Sequence, residues 1–445
     1  MEPFKRFKLL QRFKKSTVRY RLAALLFCII FILAIIATEL AMHAPPIKIV
    51  SPVTVPVAIP TTTNPISTPV SAPPITITPT TTESASPSTP TPAPPPAAVI
   101  VPQNVLNRQF GVSVGETLLG LDDADLNARL NNIASLGIGW LRFDIQWDQV
   151  EPNNANDNTW IAIDRAVAAA NAHHMGILAI LDYTPAWDRP ADCPPRNDKC
   201  LPPDTASFDN FVRMAVARYG PEGISHWEIW NEPNTIGSVQ PGFSVMDYVT
   251  LLKSAYVTIK DVQPSSTVIT GGLGPAQTSG GNISPLDFLS QLYADGAQGY
   301  FDAVGDHPYS YPAMPLYEQP WNAWSQMAST TPSLRSIMIA NGDADKKIWL
   351  TEYGAPTDGP GTLEDSTSDT VFAGRPDHVT EVVQAAMLAQ AIGAVQQYPW
   401  AGPMFIYTYR DLGTSNNTIE NFFGVVRDDG STKPAYATIK TLLAN

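Results

Sequence analysis

The sequence predicts an α/β protein: one closed (β/α)8 TIM barrel, preceded by an N-terminal transmembrane helix and a disordered Pro/Thr/Ser-rich linker. Three observations predict the barrel. Strand-like apolar runs alternate with helix-period segments from about residue 105 to 445, the pattern of a parallel sheet with helical crossovers. No G-x-G-x-x-G turn follows the first of these runs, so an open dinucleotide-binding sheet lacks its phosphate-binding signature. Polar residues gather where the strands end: Arg142 and Asp144, Asp182, Asn231 and Glu232, Asp306 and His307, Glu352, Arg410 and Asp411. A parallel barrel presents its chemistry at that end.

The chain opens with a basic segment, 1–21, holding eight Lys and Arg against the single acid Glu2. Within 22–42, the run from Leu22 to Thr38 is uncharged, apolar and just long enough to cross a thin bilayer. Basic residues stay on the cytoplasmic side, so the rest of the chain is expected outside the cell. A cleavable signal peptide, with AMHA (Ala41 to Ala44) as its site, is the alternative and would give a secreted protein. Residues 43–104 are rich in Pro, Thr and Ser and too poor in apolar residues to offset chain entropy, hence an extended spacer and a candidate for O-glycosylation.

In the head, 105–445, the expected strands are Gln109 to Gly115, Ile138 to Asp144, Ile177 to Tyr183, His226 to Asn231, Thr267 to Gly272, Phe301 to Asp306, Lys347 to Glu352 and Pro403 to Tyr409. Helix-period segments separate most of them. Leu126, Leu130 and Ile133 follow an acidic start at Asp122, Asp123 and Asp125 and precede Gly137, which are helix start and stop signals. Further helices are expected over Thr159 to His174, Asp204 to Tyr219, Val245 to Asp261, Pro285 to Ala294 and Val379 to Tyr398, with one inside the less regular stretch Leu316 to Ile339. Lys433-Pro434 starts the last, since Pro suits a first helical turn.

Net charge is −13 for the whole chain and −20 once the first 21 residues, at +7, are set aside. So acidic a head is a poor partner for nucleic acid, anionic lipid or a sulfated polymer, and neutral substrates fit better. Cys28 lies in the apolar run, leaving Cys193 and Cys200 in the Pro-rich stretch DCPPRNDKC, which reads as a disulfide clip in an exported protein. No His stands at metal-ligand spacing beside these thiols, and neither a metal nor a cofactor is implied.

Two glutamates stand out. Glu232 follows an aromatic run in SHWEIWNEPN, and Glu352 closes another in IWLTEYGAP, at the expected ends of strands four and seven. In a closed barrel both project into one bowl, and paired carboxylates facing across a sugar are the equipment of glycoside hydrolysis. These two motifs, with LDYTPAW upstream and FDAVGDHPY between them, make the head resemble glycoside hydrolase clan A, most similar to family 39 with family 5 a close second.

The resemblance implies a retaining glycosidase acting on a carbohydrate, with Glu232 as acid/base and Glu352 as nucleophile. Asn231 would bond the sugar's 2-hydroxyl. Arg142 would keep the nucleophile ionised, Tyr309 would donate to the same carboxylate, and His307 would line the sugar subsite. Glu228 is expected as a buried hydrogen-bond partner. Trp147, Trp187 and Trp321 are candidate stacking platforms in loops, whereas Trp140, Trp227 and Trp230 are expected in the core. Many clan members carry a Trp at the end of strand eight; here the run is FIYTYRD, so Tyr407 or Tyr409 must stand in. A carbohydrate-binding pseudoenzyme and a transglycosylase remain open alternatives, and the oligomeric state is not legible.

Overall fold

The computed structural model describes residues 107–194, 197–240, 244–367 and 376–444. The expected basic segment, membrane helix and linker lie outside them. Among the described residues no helix is long and apolar enough to cross a membrane.

Eight parallel strands close into a barrel: β1 (Asn107–Ser113), β2 (Ile138–Gln146), β3 (Gly176–Asp182), β4 (His226–Ile229), β5 (Thr267–Thr270), β6 (Ala303–Asp306), β7 (Lys347–Tyr353) and β8 (Ala401–Tyr407). Neighbours run β1–β8–β7–β6–β5–β4–β3–β2, each pair parallel. The connecting helices are α1 (Asp123–Ala134), α2 (Ile161–Ala172), α3 (Ala206–Tyr219), α4 (Val245–Val262), α5 (Pro285–Ala294), α6 (Ala323–Ala328), α7 (Leu334–Ala340), α8 (Glu381–Val395) and α9 (Pro434–Leu443). Their starts follow capping chemistry: the Asp122, Ser244 and Ser284 side chains accept from the backbone N–H three residues on. The stretch expected to hold one helix between β6 and β7 holds two, α6 and α7, and a small pair of strands, Leu363–Glu364 with His378–Val379, follows β7.

The core has two parts. A large apolar layer lies between strands and helices, and inside the barrel Trp140, Leu178, Ile269, Ala303, Trp349 and Phe405 form a plug. Trp140 meets Trp349 edge-on with ring centroids 5.7 Å apart and His226 at 4.8 Å. Gly111 makes room for this plug, since a Cβ there would collide with Phe405 and Trp140. Side chains alternate along a strand, so the residue two positions beyond each plug residue faces the same way. On β2 that residue is Arg142, on β7 Thr351 and on β8 Tyr407, while Glu228 stands two beyond His226 on β4. The polar bowl is therefore the next layer above an apolar floor, as the strand-end pattern in the sequence requires.

Candidate active site

Arg142 organises the floor of the bowl. It is 1% exposed, and its guanidinium is fully engaged. Nε and NH2 donate to the two Glu228 oxygens at 2.7 and 3.0 Å, NH1 to Glu352 Oε1 at 2.6 Å and Ser113 Oγ at 3.0 Å, and NH2 also to Asn231 Oδ1 at 3.0 Å. Burial alone would lower its pKa, but Glu228 and Glu352 outweigh that and raise it above the ordinary value. Glu228 is itself fully buried and also accepts from Gly272 N at 2.8 Å, as its reading as a buried partner anticipates. Arg142 has no donor left for a sugar; it positions other side chains.

Glu352 sits on β7 within reach of three donors. Besides Arg142, Tyr309 Oη donates to its Oε2 at 2.8 Å and Ser113 Oγ reaches its Oε1 at 3.4 Å. Burial pushes this carboxyl up, yet His307 and Arg142, with hydrogen bonds from Tyr309 and Arg142, hold it below its ordinary 4.5. A carboxylate held in its charged form is nucleophilic at neutral pH.

Glu232 is positioned differently. The fourth strand stops at Ile229, two residues short of its expected end, and Glu232 lies three residues beyond it, on a loop. Trp230 and Glu232 take φ of 68° and 43°, a left-handed backbone uncommon for such residues and one that turns the chain out of the sheet. Buried partners over-determine this turn. The Trp230 indole donates to Ser238 O at 2.9 Å and Tyr248 Oη to Ile229 O at 3.0 Å. Asn234 staples the loop to the one after β5, donating to Gly274 O at 2.7 Å and accepting from Gly274 N at 2.8 Å. At Gly274 a Cβ would crowd the Glu232 carboxyl at 2.8 Å, so the close approach requires glycine.

His307 joins the two glutamates. Its Nδ1 lies 3.1 Å from Glu232 Oε1 and 3.6 Å from Glu352 Oε2. The ring is fully buried, with Nε2 3.5 Å from Arg142 NH2. Burial would lower the pKa of the ring, but Glu352 and Glu232 more than compensate and raise it above 6.5. The expectation that His307 lines the sugar subsite is corrected: it lies beneath the carboxylates, pressed against Gly272, where a Cβ would collide with the ring.

Asn231, Glu232, Tyr309, Glu352 and Tyr407 line one cavity of about 570 Å³. With the Asn231 Oδ1 occupied by Arg142, its NH2 is the end left for a ligand. Tyr407 fills the strand-eight position, while Tyr409 does not: it is buried near α1, with Arg129 over its ring at 5.8 Å. Trp147 is also corrected. Rather than forming a platform, it is fully buried, donates to Glu151 Oε2 at 2.6 Å and stacks on Phe211. Trp187 donates to Glu151 O at 2.7 Å and packs edge-on against Trp147, outside the walls of the cavity. Trp321 is half exposed beside Tyr317 and likewise outside those walls.

Two charged wall residues escaped sequence reasoning: Glu420, in the short 3-10 helix Ile419–Phe422 after β8, and Lys199, from the loop after β3. Neither sits in a segment with a sequence periodicity that marks it; only the neighbouring Cys200 set Lys199 apart. Cys193 and Cys200 are joined in a disulfide. Asp182 and Asp306 are buried scaffold acids. Burial and Asp144 push Asp182 well above the ordinary range, and burial raises Asp306 to about 8. Among the described residues no cluster of His, Cys, Asp and Glu is arranged to hold a metal.

Comparison with known proteins agrees with this fold. The cellulase family model, glycosyl hydrolase family 5, matches residues 108–371, more than half the chain. The fold is similar to that of a family 39 glycoside hydrolase from the gut symbiont Bacteroides cellulosilyticus WH2, with 24% identity and a TM-score of 0.58 over 77% of this chain and 64% of that one. A monomeric β-xylosidase from Caulobacter crescentus CB15 is 20% identical, TM-score 0.55, covering 76% of this chain and 68% of its own. A family 5, subfamily 18 protein from Streptomyces cattleya, solved in complex with GlcNAc, is 17% identical, TM-score 0.53, covering 76% and 80%. This chain thus spans just under two thirds of the first of these structures, and none of the curated proteins matches its sequence. The likeness to family 39, the first choice on the sequence motifs, is one of fold, and the sequence match is to family 5, the second choice. The chain belongs to glycosyl hydrolase family 5, the cellulase family, among the clan A barrel glycosidases.

Proposed function

We propose that the protein is a retaining glycoside hydrolase of neutral polysaccharides or surface glycans, with Glu352 as nucleophile and Glu232 as acid/base, held outside the cell by its N-terminal segment. One observation carries the assignment of roles: a single His307 nitrogen touches both carboxylates, while, of the two, Arg142 and Tyr309 bond Glu352 and not Glu232. The shared contact supports a closely spaced pair of carboxyl groups, and double displacement works across about 5 to 5.5 Å.

In the first step the Glu352 carboxylate attacks the anomeric carbon as Glu232 delivers its proton to the departing glycosidic oxygen. The covalent ester removes the negative charge of Glu352, and Glu232, now a carboxylate, takes a proton from the water that hydrolyses it. Asn231 offers its NH2 to the sugar's 2-hydroxyl, and Tyr407 borders the ring. Neutral substrates are supported by the carboxylates in the cavity wall, Glu420 among them, which repel an acidic sugar. The basic segment followed by an apolar run and a Pro/Thr/Ser-rich spacer supports delivery to the outer face.

The test is a hydrolysis screen over polysaccharides and aryl glycosides, with the first-formed anomer followed by NMR. Release of product with the anomeric configuration of the substrate is expected; the opposite anomer contradicts the reading.

A further inference from the structure

The cavity holding the two glutamates does not end at them. Lys199 and Tyr407 line it, and both also line a second cavity of about 510 Å³ whose wall includes Asp144, Gln146 and Asp198. Gln146 and Gln149 continue into a third of about 480 Å³. Shared walls make these one groove. Each part is within the roughly 300–1,000 Å³ that takes a drug-sized ligand, more than one sugar ring fills.

The second cavity lies past Tyr407, with neither Glu232 nor Glu352 in its wall. The general acid stands beside the departing oxygen, so the leaving group lies toward the Glu232 loop, where Thr235 and Gly274 line the first cavity. Sugars in the second cavity therefore belong to the part of the chain retained on the nucleophile.

At the join stands Lys199, the one cation among the described residues lining these two cavities. Among the described residues its ammonium makes no ion pair; it lies 5.6 Å from the centroid of the Tyr183 ring. Its backbone, by contrast, is tied on every side. Thr184 N donates to Asp198 O at 2.7 Å, Gln240 N to Lys199 O at 3.1 Å and Thr184 Oγ1 to Cys200 O at 2.6 Å, and the disulfide to Cys193 closes the loop. A fixed backbone presenting an ammonium with three N–H donors into a groove is suited to hydroxyl oxygens. Asp144, Asp198 and Glu420 around it disfavour an anionic ligand.

We propose that Lys199, presented by the Cys193–Cys200 loop, is a specificity-determining residue that binds the sugar bridging the first and second cavities, so that the enzyme reads a chain of at least two retained sugar units rather than a single terminal sugar. This rests on the glycosidase reading above. The test uses 4-nitrophenyl β-glycosides bearing one, two or three β-1,4-linked glucose or xylose units. In the wild-type protein kcat/KM rises by about tenfold or more from one unit to two, and Lys199→Met collapses that ratio toward one. The double variant Cys193→Ser/Cys200→Ser reduces the same ratio partway. Equal kcat/KM at all lengths, or a ratio untouched by Lys199→Met, overturns the proposal.

If no glycoside is turned over, calorimetric binding of free cello- and xylo-oligosaccharides of one to four units decides it. Affinity that grows with length and falls in Lys199→Met upholds the groove while the glycosidase reading fails. Affinity indifferent to length, or absent for both series, overturns it.

Discussion

Glu232 and Glu352 share one histidine, and little else in their surroundings is alike. Glu352 lies on a strand, 14% exposed, bonded by Arg142 and Tyr309 and held in its charged form. Glu232 lies on a loop, 26% exposed, and His307 is the one side chain among the described residues that hydrogen-bonds its carboxyl. The difference teaches how one bowl runs two chemistries. A nucleophile is served by a rigid strand and an array of donors fixed before substrate arrives. An acid/base that must both release and take up a proton is served by fewer fixed donors and by a path to solvent.

Breaking the comparison at its nucleophilic half gives the largest effect. Glu352→Gln lowers kcat by at least about 10⁴-fold on every substrate, because no covalent step remains. Glu232→Gln costs about 10²- to 10⁴-fold on natural glycosides and much less on aryl glycosides whose leaving group needs no proton. Steady-state kinetics across leaving groups separates the two; equal losses on all leaving groups for both variants would erase the contrast.

Arg142→Met strikes the donor array itself. Glu228 is left buried and unpaired, so denaturant melts should register a loss of about 3–5 kcal/mol, alongside reduced kcat. A smaller effect sharpens the picture. Tyr309→Phe removes one donor to the ionised form of Glu352, so its pKa rises and the acid limb of the kcat/KM–pH profile moves to higher pH, with a loss of about tenfold. An unmoved acid limb means that Tyr309 does not tune Glu352.

The smallest effect concerns the acid beneath the shared histidine. Asp306 has a folded pKa of about 8 against an ordinary 3.8, so the folded state holds its proton more tightly. Its contribution to stability is complete below the ordinary value and is lost as pH rises through 8. Asp306→Asn should flatten the pH dependence of thermal stability across that window while leaving the roles of the two glutamates unchanged.

Much of this was legible in the sequence because it depends on local patterns. The eight strand runs, the helix starts at Asp122 and Lys433-Pro434 and the two aromatic motifs report on burial and backbone chemistry within a few residues. The end of the fourth strand was not legible. Trp230 belongs to an aromatic run that reads as strand, but tertiary partners, the Ser238 carbonyl and the Asn234 staple, hold it in a left-handed turn. Trp147 looked like a loop platform because nothing local reveals that Phe208 and Phe211 of α3 close over it. Tyr407 and Tyr409 were equivalent on paper; the strand leaves the first over the bowl and the chain carries the second toward α1. Lys199 and Glu420 come from segments whose meeting only the closed barrel dictates.

The assignment of roles has one direct test. A 2-fluoro glycoside with a good leaving group, matched to the sugar found in the hydrolysis screen, should trap the glycosyl-enzyme, and peptide mass mapping should locate the added sugar on Glu352. Label on Glu232, or turnover of the probe with no covalent adduct at either carboxylate, would contradict the account.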